Sequence, residues 1–212
     1  MKQDIERVLV LAPHTDDGEF GCGGSIAKFI EEGKEVYYVA FSTAEKSVPE
    51  GWPKNILEVE VKEATKRMGI PSSHLLIYKY EVRKLNYTRQ EILEELVKIK
   101  KDVKPDLVIL PSKNDLHQDH TTVATEGIRA FKQISILGYE LPWNNITFHT
   151  QVFIKLKETH VQKKIHALKA YSSQSHRDYA AEDFIWSWAK TRGTQIGTEY
   201  AETFEITRWV IE

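Results

Sequence analysis

Four apolar runs, each separated from the next by a stretch of helical period, constrain this chain more than any other feature. They are "RVLVLAP" (7–13), "VYYVAFST" (36–43), "HLLIYKY" (74–80) and "DLVILPS" (106–112), and polar residues barely interrupt them. The first is typical of a strand covered on both faces and the second reads as buried, as in a parallel sheet between two layers of helices. The other two read as a third and a fourth strand. The intervening segments supply the helices. In "GGSIAKFIEEGKE" (23–35), Ile26, Ala27, Phe29 and Ile30 share one face and Gly33 marks the stop. Residues 54–68 read as a helix that ends at Gly69, with Pro71 beyond it. "TRQEILEELVKIKKDV" (88–103) sets Ile92, Leu93, Leu96 and Ile99 on one face, with Thr88 and Glu91 at capping-box spacing. A further helix is expected from about His120 to Ile134. The fold class that follows is α/β: a Rossmann-like sandwich with a mostly parallel central sheet flanked by helices and joined by right-handed crossovers.

Beyond Leu137 the pattern is less regular. Residues 147–156 and 202–211 read as strands, with helices near 159–171 and 179–190 between them. No repeat, low-complexity tract or linker divides the chain. Residues 1–212, 41% of them hydrophobic, are expected to form a single domain around one core.

Composition excludes several classes of function. The net charge is −2, from 29 basic and 31 acidic residues with no basic stripe, so nucleic acid is not an expected partner. No apolar run approaches the roughly 20 residues of a membrane span. The start, "MKQDIERVLVLAP", lacks the basic head, apolar stretch and small-residue cleavage site of a secretory leader. One cysteine, Cys22, allows no internal disulfide. A cytoplasmic location is the expectation from both features.

Two polar clusters interrupt this frame. His14, Asp16 and Asp17 directly follow the first strand, and "NDLHQDH" (114–120) directly follows the fourth. In open α/β sheets ligands bind beyond the carboxyl ends of the strands, so both clusters are expected at one sheet edge. Either cluster alone could be a helix cap or an ordinary loop. Together they hold three histidines and four aspartates, and that concentration points to a site. His14, Asp17 and His120 would offer two imidazole nitrogens and a carboxylate to a divalent cation. Asp16 would then be free to take a proton from water.

These residues also carry a resemblance. "PHTDDGEFGCGG" and "HQDH" resemble the paired motifs of the PIG-L/LmbE-like metal-dependent de-N-acetylases. "EVKEATKRMG", "KIHALKAYSSQ" and "YAETF" extend the similarity over nearly the whole chain. The resemblance implies His14, Asp17 and His120 as metal ligands and Asp16 as general base. It implies His117 as the histidine that stabilises the oxyanion or protonates the leaving amine, with Asp119 as its neighbour. It further implies Zn2+, with Fe2+ as the alternative, and a homo-oligomer such as a trimer or hexamer. The substrate implied is a small-molecule N-acetyl sugar or glycoconjugate of GlcNAc type, hydrolysed to acetate and a free amine.

The chain departs from that family's pattern at three positions. Thr15 replaces the usual proline, Gly18 stands where a glutamate commonly follows the two aspartates with Glu19 one place later, and Leu57 falls near the usual arginine. Two other functions compete: a non-haem iron enzyme using the same two histidines and one carboxylate, and a catalytically idle sugar-binding protein. "GCGG" (21–24) lacks dinucleotide-binding spacing and reads as a close-packed helix start. "YELPWNN" (139–145) reads as a packed loop or a subunit interface as much as a sugar-stacking wall, and Arg192 as a residue that could approach the site in the family's fold.

Overall fold

A computed structural model describes residues 5–211; the first four residues of the segment read above for a leader, and Glu212, lie outside the described residues. Seven strands form one sheet: β1 (Arg7–His14), β2 (Glu35–Ser42), β3 (Leu75–Ile77), β4 (Leu107–Pro111), β5 (Ser135–Tyr139), β6 (Val152–Leu156) and β7 (Tyr200–Arg208). Six α-helices among the described residues pack against it: α1 (Asp17–Glu31), α2 (Ile56–Met68), α3 (Arg89–Val103), α4 (Gln118–Ala130), α5 (Glu158–Leu168) and α6 (Glu182–Thr194). The strand order is β3-β2-β1-β4-β5-β7-β6. The first five strands are parallel, and β7 runs antiparallel to both β5 and β6. The expected α/β fold with a mostly parallel sheet is the one observed.

The unbroken apolar runs have a direct cause in the layers. Val8, Val10 and Ala12 of β1 join a cluster with Ile26 of α1, Val61 of α2 and Ile165 of α5. The alternate residues Leu9 and Leu11 join Leu96 of α3 and Val123 of α4 in the other cluster. Both faces of β1 are therefore dry, and each buried Leu, Ile or Val contributes roughly 1.5–3 kcal/mol. No helix among the described residues is long and apolar enough to cross a membrane.

Several expected boundaries move. The first helix starts at Asp17, six residues before the expected Gly23, although Gly18, Gly21, Gly23 and Gly24 are poor helix formers. Packing overrides propensity: a side chain at Gly21 would enter the ring of Tyr139. The helix also kinks at Cys22, whose φ is −146°. The capping box expected at Thr88 does not form, since the Thr88 side chain caps no backbone N–H of α3. β5, "SILGY", went unread within the irregular region; it extends the parallel sheet before the two antiparallel strands close that edge.

Candidate active site

Strand order reverses between β1 and β4, and the crevice at such a reversal is where α/β sheets bind ligands. His14 ends β1 and Asp17 opens α1; Pro111 ends β4, and His117 caps α4 with His120 in its first turn. Both motifs thus meet where two helix N-termini converge, and those termini favour carboxylates.

Three donor atoms form a nearly equilateral triangle. His14 Nδ1 lies 3.0 Å from Asp17 Oδ2, His120 Nε2 lies 3.2 Å from the same oxygen, and the two nitrogens are 3.2 Å apart. Atoms each about 2.0–2.2 Å from a shared cation have separations of this order, so the donor set fits a divalent metal. The outer nitrogens are held as well. His14 Nε2 is 2.9 Å from Asp119 Oδ2, and His120 Nδ1 is 2.7 Å from Asp115 Oδ2. A carboxylate on the far nitrogen takes that N–H and leaves the inward nitrogen as a lone pair. Asp17 Oδ2 also accepts the backbone N–H of His14 at 2.8 Å.

His117 stands beside this triangle, with its ring centroid 4.9 Å from that of His14 and 4.6 Å from that of His120. One nitrogen of each of the three histidines falls within 4.8 Å of the others, so a three-histidine set is a second grouping. His117 Nδ1 accepts the backbone N–H of Asp119 at 3.1 Å. The neutral ring therefore carries its proton on Nε2.

The electrostatics divide the two aspartates. Burial opposes charge on Asp17, but His120 and His14 outweigh it and hold the carboxyl well below the usual range. Burial and the adjacent Asp17 push Asp16 up to about 6, with His14 and Arg177 pulling the other way. Burial would lower His14 and His120; Asp17, with Asp119 for the first and Asp115 for the second, instead raises them to about 9 and about 10. Burial and the neighbouring His14 and His120 lower His117 to about 4.

A cavity of about 250 Å³ opens on this cluster, lined in part by Asp16, Phe20, Leu57, Trp143, Arg177 and Tyr179. Trp143 stacks on Tyr179 at 4.0 Å, and Phe20 packs edge-on against both. Beneath the opening motif, Glu19 is 1% exposed between two tyrosines. Tyr171 Oη approaches Glu19 Oε1 at 2.9 Å and the Thr15 carbonyl at 2.7 Å; Tyr38 Oη makes a short contact with Glu19 Oε2 and lies 3.0 Å from the same carbonyl. Two hydroxyl protons cannot serve four such contacts, and a protonated Glu19 supplies a third. Burial drives Glu19 in that direction, to about 8, against the opposing tyrosine bonds.

All six residues singled out in the sequence lie in or directly behind this site, and Asp119 neighbours His117 through its backbone N–H. Its carboxylate bonds His14 and also accepts the backbone N–H groups of Arg83 and Leu85. Arg192 does not line the cavity; it pairs with Glu140, which Trp188 also contacts. Sequence reasoning gave no role to Asp115 or Arg177. Asp115 lies in the same polar loop as His120, five residues earlier, whereas nothing local marks Arg177.

Comparison with known proteins gives a consistent result. The family model PIG-L, described as GlcNAc-PI de-N-acetylase, matches residues 9–131. The uncharacterized deacetylase YaiS of Escherichia coli K12 is 30% identical over 179 residues, covering 78% of this chain and 90% of that protein. The diacetylchitobiose deacetylase of Thermococcus kodakarensis is 25% identical, with 94% of this chain and 82% of the relative covered. Among solved structures, the N,N'-diacetylchitobiose deacetylase from Pyrococcus horikoshii, in complex with its inhibitor MPG, superposes with a TM-score of 0.80 at 23% identity. That superposition covers 96% of this chain and 84% of the other.

Proposed function

The chain belongs to the PIG-L family of GlcNAc-PI de-N-acetylases, and from that premise we propose that it is a metal-dependent hydrolase of N-acetylated sugars. The substrate class is a GlcNAc-type sugar or conjugate, in keeping with the diacetylchitobiose deacetylases among its relatives. The observation that carries the reading is the triangle of His14 Nδ1, Asp17 Oδ2 and His120 Nε2, its edges 3.0–3.2 Å, backed by Asp119 and Asp115. These three residues would hold the ion, Zn2+ first and Fe2+ as the alternative the donor set accepts. A bound divalent ion supplies an acidified water and a polarised acetyl carbonyl.

The chain's own residues supply the rest. Asp16 lines the cavity and caps no N–H of α1, its one hydrogen bond being to its own backbone, so its carboxylate is placed to accept the proton of the attacking water. Water adds to the acetyl carbon, and charge builds on the carbonyl oxygen. His117, neutral and carrying its proton on Nε2, donates to that oxygen; its lowered pKa favours this form over an imidazolium. As the C–N bond breaks, acetate leaves, and the proton held on Asp16 passes to the departing amine. The Trp143–Tyr179 stack offers an apolar face to the sugar ring.

The test is a panel of N-acetyl sugars incubated with metal-loaded protein, read by acetate and primary-amine formation in equal amounts. Metal should be measured on the same sample. Turnover that disappears with a chelator and returns with Zn2+ is the expected result. Metal-loaded protein that releases no acetate from any N-acetyl sugar or conjugate, yet consumes oxygen in its Fe2+ form, would sink the reading.

A further inference from the structure

Arg177 stands in the active-site cavity with no carboxylate paired to it among the described residues. Its orientation is nonetheless built. Arg177 Nε donates to Gln174 Oε1 at 2.8 Å, and Gln174, 4% exposed, donates to Ser173 Oγ at 3.1 Å. Ser173 Oγ in turn donates to Oε2 of the buried Glu60 at 2.6 Å. Three hydrogen bonds rooted in α2 therefore fix one edge of the guanidinium. Its carbon lies 5.6 Å from the ring centroid of Tyr179, within cation–π range. Tyr179 is itself clamped on Trp143.

Tyr179 takes a further hydrogen bond from Arg177, yet a guanidinium has five N–H donors, so some remain in reserve, and their fork geometry matches two oxygens of a carboxylate or phosphate. Asp16 lines the same cavity but does not use them: no hydrogen bond joins the two, and burial, Asp17 and His14 each act on Asp16 more strongly than Arg177 does. Thr15 lines the same cavity, with its hydroxyl sealed from solvent. The Thr15 hydroxyl, on a residue 1% exposed, makes no hydrogen bond.

We propose that Arg177 is a specificity-determining residue that binds an anionic oxygen group, phosphate or carboxylate, carried by the N-acetyl sugar conjugate. The proposal rests on the deacetylase reading above. It narrows the substrate class from N-acetyl sugars in general to acidic ones. Arg177 acts in binding, away from the bonds that change.

The test compares metal-loaded wild type with Arg177→Gln and Arg177→Lys on matched substrates. These are the neutral methyl glycoside of GlcNAc, GlcNAc 1-phosphate, GlcNAc 6-phosphate and a carboxylate-bearing GlcNAc glycoside, which together locate the charge. Equilibrium binding of glucosamine and glucosamine 6-phosphate is measured in parallel. In the wild type, kcat/KM should favour at least one anionic substrate by about tenfold to a hundredfold, the size of a charge-assisted hydrogen bond. Arg177→Gln should bring the anionic-to-neutral ratio near one, chiefly through KM, and Arg177→Lys should restore part of it. Equal loss on neutral and anionic substrates would show a structural role only and overturn the proposal, as would a wild type with no anionic preference. If no substrate releases acetate, the deacetylase reading falls on its own. The binding arm then decides: Arg177-dependent preference for glucosamine 6-phosphate sustains the subsite, and its absence overturns it.

Discussion

Asp119 Oδ2 lies 2.9 Å from His14 Nε2, on the opposite side of the imidazole from the nitrogen that meets Asp17. One carboxylate thus fixes both the tautomer and the tilt of a ring that the next carboxylate shares. Asp119 also accepts the N–H groups of Arg83 at 2.6 Å and Leu85 at 3.2 Å, so the loop before α3 is tied to the same point.

Loss of that charge should loosen the metal without removing a ligand. Asp119→Asn is expected to weaken metal affinity by roughly 10–100-fold, the usual scale for a partner behind a ligating histidine. Competition against a chelator of known affinity gives the number. Wild-type affinity in the variant would mean that the Asp119–His14 contact has no part in metal binding.

Metal content and turnover should separate the neighbouring carboxylates. His120→Ala and Asp17→Asn each take away a corner of the triangle, and both are expected to purify with far less metal. Asp16→Asn should keep its metal and lose about 10²–10⁴-fold in kcat, as removal of a general base does. His117→Ala should keep its metal too; if it empties while Asp17→Asn stays full, the three-histidine grouping is the ligand set. Element analysis and single-turnover rates on the four proteins decide between the two.

Glu19 should tie stability to pH. Its carboxyl holds a proton up to about 8 in the folded chain, against 4.5 ordinarily. Between those values the folded state binds more protons than the unfolded one. This group's stabilisation is therefore complete below about 4.5 and lost as pH rises through about 8. Glu19→Gln keeps a neutral donor and acceptor between the two tyrosines. Across that window the wild type should lose stability relative to the variant, by at most ~1.4 kcal/mol per pH unit. Urea midpoints for both proteins at several pH values test it; parallel curves would refute the protonated form.

β1, β2 and β4 of the parallel half were legible because long apolar runs mark strands dry on both faces, whereas β5, equally buried, is only five residues long with Gly138 inside it and escaped. The ligands were legible for a related reason: each motif abuts such a strand, and the strand ends fix where side chains gather. What escaped notice depends on contacts distant in sequence. The early start of α1 depends on Tyr139 packing against Gly21, over a hundred residues away. Asp119 could be placed in the right loop, but which histidine it serves depends on β1 lying beside β4. Arg177 gains its meaning from Gln174, Ser173 and Glu60, a chain of bonds that no local pattern announces.

A Cβ added at Gly18 would come within 2.6 Å of the Tyr38 ring and hydroxyl, and Gly18 donates its backbone N–H to that hydroxyl at 3.1 Å. Position 18 and position 38 therefore behave as one inherited unit, although they lie on different elements. A side chain at the first position needs the room that the Tyr38 ring fills, and giving up that tyrosine would remove the hydroxyl that meets the Thr15 carbonyl. The route between the two states runs through an intermediate that either clashes or leaves Glu19 short of a partner. Gly18→Ala should be poorly tolerated alone and recover in company with a smaller residue at 38, so members of this fold should fall into two groups divided at that pair, with few sequences between them.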